Sequence, residues 1–175
     1  MEFLKPRSYS AIQIAIVAAI DAAGLFRKGA MVKAAPGHLS EQWLVNNTVP
    51  NQGCALVAIG RLVEVARHAN GVPIHTLRLG VFLIPAPDKR NTQALHLSDA
   101  AFEMVDFITG QGGNRFGISG ASVPKNLTAA NNYSQSLDRK GSTLWTIEWT
   151  QSFHIFGSDN ALRGGPQVGG IADAS

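Results

Sequence analysis

Cys54 is the chain's one cysteine, so no internal disulfide can form, and such sparing use favours a reducing compartment. It sits in the apolar run GCALVAI, where a buried, inert thiol is expected. Charge is also scarce. Only 15% of residues are Asp, Glu, Lys or Arg, against about a quarter in soluble chains generally. A surface so poor in charge is expected to be covered by a partner, although an Ala- and Gly-rich composition accounts for it equally well. The formal net charge is +3, but the basic residues are scattered, adjacent only at Arg27-Lys28, Lys89-Arg90 and Arg139-Lys140. A nucleic-acid binder clusters them with aromatics on one face, so the mild positive balance reads as solubility.

Long hydrophobic runs are missing as well. AIQIAIVAAIDAAG follows Lys5 and Arg7 as a signal peptide would, but Gln13 interrupts it and it is too short to span a bilayer. No membrane partner is expected. The sequons at Asn46, Asn126 and Asn132 then carry no weight, because glycosylation requires secretion.

The motifs of common chemistries are missing too. GQGGNRFG is as glycine-dense as a phosphate loop, yet it follows a predicted helix instead of opening one, and Gly-Lys-Ser/Thr does not occur. The five histidines, His38, His68, His75, His96 and His154, lack the spacing of a zinc centre. No G-x-S-x-G marks a nucleophile. Asp99, Glu103 and Asp106 share one side of a predicted helix and read as a solvated face. The expectation is therefore a protein that is not an enzyme, with no catalytic, cofactor-binding or metal-ligating residue and no cofactor.

What remains is a layout. A chain of 175 residues forms one domain and buries a sizeable core. Ile12, Ile16, Ala19, Ile20 and Ala23 share one face of a helix from about residue 9 to 23, with Ser8 or Ser10 to cap it and Gly24 to end it. A loop-rich stretch follows to Gly53, with GAMVKAA as a short strand and Trp43 as an anchor. CALVAIGRLVEVAR and IHTLRLGVFLIPA alternate as strands around the turn HANGVP, with Gly60 at a bulge or turn. A second helix is predicted over about residues 92–109, capped by Asn91, stopped by Gly110, and striped by Leu97, Ala101, Met104, Val105 and Ile108. Residues 110–141 are poor in apolar side chains and read as a long loop. Residues 158–175 cannot bury enough surface to fold alone and read as a flexible tail.

TLWTIEWTQSFHIF, residues 143–156, alternates most clearly. Trp145, Ile147, Trp149, Gln151 and Phe153 fall on one side, and Thr146, Glu148, Thr150, Ser152 and His154 on the other. The first side is expected to pack under the helices. The second is expected to face solvent or another subunit, and its five residues are the subunit-interface candidates. The sum is an α+β fold: a mostly antiparallel β-sheet with two main helices packed on one face, spanning residues 1–157 as a single domain.

The order of YSAIQIAIVAAIDAAG, LSDAAFEMVDFITG and SLDRKGSTLWTIEWTQSFHIF resembles the tail terminator proteins of long-tailed bacteriophages, in particular the Mu-like prophage type related to the lambda-type terminators. The likeness covers about residues 8–156 and is one of layout. It implies a structural virion protein that assembles as a hexameric ring on the last ring of the tail tube. That ring ends tube polymerisation and presents the surface that joins the tail to the head connector. The implied partners are other copies of the chain, the tail tube protein and the head–tail connector protein, with the tail sheath as a further candidate and DNA only as a passenger through the lumen. The implied location is the virion tail or neck, after assembly in the host cytoplasm. The loop at 110–141 and the tail after Gly157 lie outside the likeness. Two alternatives stand beside it: another neck or tail component, such as a head–tail joining or tube protein, and a small cytoplasmic enzyme or ligand-binding domain.

Overall fold

A computed structural model describes residues 3–26, 30–35, 53–84, 93–110, 113–132 and 144–157, with the side chains of 93–96 excepted. In chain order its elements are helix α1 (Tyr9–Ala23), strands β1 (Met31–Ala34), β2 (Cys54–Arg67) and β3 (Pro73–Ile84), helix α2 (Gln93–Thr109), and strands β4 (Lys125–Asn131) and β5 (Trp145–His154). The strands form one sheet in the order β1-β2-β3-β5-β4. Only β1 and β2 run parallel; the other three pairings are antiparallel. The fold is α+β.

The first helix follows its sequence signals. Ser8 caps it, its hydroxyl accepting from the Ala11 N–H at 3.2 Å, and Gly24 ends it with φ 64°. Ile12, Ile16 and Ile20 are fully buried, whereas Ala23, expected on the same stripe, is exposed. Along α2, Leu97, Ala101, Met104 and Ile108 are buried and Val105 packs beside them, while Asp99, Glu103 and Asp106 face solvent. Both stripes meet Leu77, Leu79, Val81 and Leu83 of β3 in one core, so both helices cover the same face of the sheet.

The hairpin is also as expected. His68 and Val72 close the turn, and Gly71 takes φ 83°, a conformation that suits the residue after Asn70. Gly60 lies where the β2–β3 register shifts, at a bulge between Ile59 and Arg61; a second shift falls between Leu62 and Glu64.

Three expectations change. Gly110 follows the end of α2 without a left-handed conformation; it is Asn114 that reaches back, its side-chain amide donating to the Phe107 carbonyl and its N–H to that of Ile108. The predicted loop at 110–141 contains edge strand β4 and, before it, a packed segment over residues 113–124 with Phe116, Ile118 and Ala121 buried. Residues 113–132 are thus part of the folded body, against the expected long loop; Gly112, residues 133–141 and the tail 158–175 lie outside the described residues. The last strand is shorter than its alternation, beginning at Trp145. The Asn91 cap, the Trp43 anchor, His38 and the His96 side chain also lie outside the described residues.

Gln151 explains the packed segment. Nearly inaccessible, it accepts from the Trp149 indole N–H at 3.0 Å and donates to the carbonyls of Asn114 (3.0 Å) and Ser122 (2.7 Å). A buried amide needs its donors and acceptor met, and here two elements meet them. Phe116, at φ 51° beside Gly117, adds its ring to a chain of aromatics, 6.2 Å from Phe107 and 5.9 Å from Trp149. Residues near the chain start strap this end: Leu4 donates to the Gly117 carbonyl and accepts from Ser119, and Phe156 donates to Pro6.

Candidate interaction surface

Period-two alternation places Thr146, Glu148, Thr150, Ser152 and His154 on the face of β5 away from the helices. Their partners come from both neighbouring strands. Registers Thr76↔Ser152, Arg78↔Thr150 and Gly80↔Glu148 bring Thr76 and Arg78 of β3 to the same face. Thr76 and Ser152 hydroxyls are 2.8 Å apart, and the Arg78 guanidinium meets the Glu148 carboxylate at 2.6 Å. On the other side, Asn126 donates its amide to the Thr150 hydroxyl at 3.1 Å, and that hydroxyl donates to the Lys125 carbonyl at 3.2 Å. Asn132 donates to the Thr146 hydroxyl.

The five candidates therefore lie on one face, but not equally open. Glu148, Thr150, Ser152 and His154 are half-buried. Thr146 is a correction: it is buried at 9% exposure, set between Phe82 and Ala130 in the sheet. Nearby, Cys54, Leu56 and Ile84 form a second buried cluster with Ala35, flanked by Met31, Ala58, Phe82 and Leu144. The outer face thus divides into an apolar half and a polar half, and Thr146 lies at the division. Burial raises the Cys54 thiol pKa above its ordinary value, with Lys33 opposing part of that rise.

The polar half ends in imidazoles. His154 stands 5.4 Å from the His68 ring and 6.2 Å from that of Phe156. Gly120 passes directly under it: a Cβ there would lie 2.7 Å from the His154 side chain, and φ is 73°. His75 is apart from this group, accepting from or donating to the Tyr9 hydroxyl at 2.8 Å. Among the described residues no three His, Cys, Asp or Glu side chains converge as metal ligands, and no helix is long and apolar enough to cross a membrane.

The opposite, helix-side face has an exposed apolar margin, since Leu62 pairs with Leu77 and Val65 with His75. Leu62, Val63 and Val65, on the outer arm of β2, are 44%, 48% and 56% exposed. Thr76 and Arg78 were open to sequence reasoning, as the residues alternating with Leu77 and Leu79. Lys125 and Asn126 were not, because KNLTAAN carries no apolar alternation.

Among the described residues a half-open cleft of about 770 Å³ lies at the end of α2, lined in part by Phe3, Asp106, Phe107, Arg115 and Phe116. No protein-family model matches the chain, and no curated protein matches it.

Proposed function

We propose that the protein is a structural ring subunit that works through surface geometry, as a phage tail terminator. The observation behind this reading is the outer half of the sheet. Polar side chains there bond mainly to one another, while the helix-side face of the same sheet exposes Leu62 and Val65 on the outer arm of β2. A wide polar sheet face whose β2 arm also exposes apolar side chains suits contact with a large partner better than capture of a small molecule. An α+β fold with an N-terminal helix and a second helix in mid-chain is the architecture that the resemblance implies. The hexameric count, the tube and connector partners and the virion location come from that resemblance.

Subunits that close under rotation through unlike patches give a ring with two different faces. One face would cap the tube and the other would meet the connector. Mixing the protein with polymerising tail-tube subunits should yield shorter tubes capped at one end. Tubes of unchanged length, with the protein left unbound, would overturn the terminator reading and move a head–tail joining role ahead of it. Thr150→Arg should weaken assembly and leave the subunit folded, whereas Trp149→Ala should cost about 3–5 kcal/mol of stability. The 770 Å³ cleft favours a ligand-binding domain as the second reading.

A further inference from the structure

We infer that neighbouring copies join by pairing the outer arm of β2 in one subunit with β4 of the next, Glu64 opposite Lys125. The ring reading supplies the second copy; the pairing itself follows from strand direction, face and register.

Both strands have an outer edge to offer. β1 covers β2 only over Cys54–Val57, and at Val57 the edge is closed by the Ala35 N–H and the Gln13 amide, at 2.7 Å each. Among the described residues no strand pairs with that edge from Ile59 onward, and residues 60–67 are exposed. At the far side of the sheet, β4 pairs only with β5 among the described residues. Such edges template pairing with another chain; this β2 arm contains no proline, and its charges, Arg61, Glu64 and Arg67, together with its two register shifts, restrict which partner and register it accepts.

Direction agrees. The antiparallel steps from β2 through β3 and β5 to β4 leave β4 running opposite to β2. A second copy that continues the sheet therefore presents β4 to β2 antiparallel.

Faces agree as well. Glu64 pairs with Thr76, and Lys125 with Thr150, so both lie on the outer, polar face. Leu62 pairs with buried Leu77, and Leu127 packs against the main core, so both lie on the helix side. Setting Glu64 opposite Lys125 sets Leu62 opposite Leu127. It also brings together the irregular steps of the two strands, Val63 within the Leu62/Glu64 shift and Asn126 within the Lys125/Thr128 shift. A one-residue slip would oppose residues of different faces.

Within one subunit, Lys125 is level with Arg61 through Thr150 and Arg78. Pairing it with Glu64 raises the neighbour by about 10 Å along the strands, at about 3.4 Å per residue. Closing a sheet into a barrel requires a stagger of this kind. The fit of opposite charges on one face and leucines on the other specifies a second copy of this chain as the occupant.

The test uses the full chain, with mass followed by sizing and light scattering. Glu64→Lys and Lys125→Glu should each lower association about tenfold or more per contact. The double exchange should restore it. Independently, Ala129→Pro should abolish assembly without unfolding the subunit: Asn132 donates to Leu144, so by alternation the Ala129 N–H points away from β5. Rings that persist in both single charge variants, or a double exchange that fails to restore them, would overturn the pairing and leave the ring reading standing. A wild-type chain that stays monomeric at all concentrations would overturn both.

Discussion

Replacing Gln151 by leucine keeps the volume of its buried site and removes every polar contact made there. The indole N–H of Trp149, itself 1% exposed, would lose its acceptor at 3.0 Å. A buried donor left unmet costs about 1–3 kcal/mol. The Asn114 and Ser122 carbonyls are only partly buried, so each lost bond there costs about 0.5–1.5 kcal/mol. Together the change should destabilise the fold by about 2–6 kcal/mol, a large share of the total for a single domain. The loss should also be local before it is global, because these bonds tie residues 113–124 to β5. Urea unfolding would measure the first effect. Hydrogen exchange would measure the second, with amides of residues 113–124 losing protection before those of β3. An unfolding midpoint equal to the wild type, with unchanged protection in that segment, would refute the claim that Gln151 holds it.

Gly120→Ala should destabilise the protein by about 2 kcal/mol or more, since a left-handed residue gains a Cβ and that Cβ lies 2.7 Å from His154; thermal melts would show it, and an unchanged melting temperature would contradict the close approach. Cys54 makes stability fall in alkali. Its folded thiol pKa is raised by burial, so the stabilisation is complete below the ordinary thiol pKa and lost as pH climbs through the raised value; Cys54→Ala should flatten that slope in unfolding free energy against pH.

Much of the architecture is legible in the residues, because side chains on a regular element repeat with its period. Ile12, Ile16 and Ile20, the stripe of α2, and the alternation through Trp149 and Phe153 each announce a buried face. Gly71 announces its turn, since glycine takes its left-handed conformation without strain. β4 announces nothing. It is held to β5 by backbone groups, only Leu127 of its seven residues is even partly buried, and no side-chain pattern records that pairing. Residues 113–124 are hidden for a related reason: their anchors are three buried residues and the amide of Gln151, spaced without a period. Thr146 was placed correctly by face but not by depth, because Asn132 and the apolar half of the sheet lie elsewhere in the chain. The polar surface is legible as alternation along one strand, and its lattice of partners is not.

The central position of β3 has a consequence for synthesis. Its first neighbour, β2, precedes it by a short turn, but its second, β5, lies far downstream: Arg78 and Glu148 are 70 residues apart. As the chain leaves the ribosome, β3 displays an unpaired edge and the row Leu77, Leu79, Val81 and Leu83 until β5 emerges. Loop closure over such a separation is slow relative to hairpin formation. The nascent hairpin is therefore the species most exposed to misassociation, and a chaperone acting on this chain has its window between emergence of residue 84 and emergence of residue 154 from the ribosome.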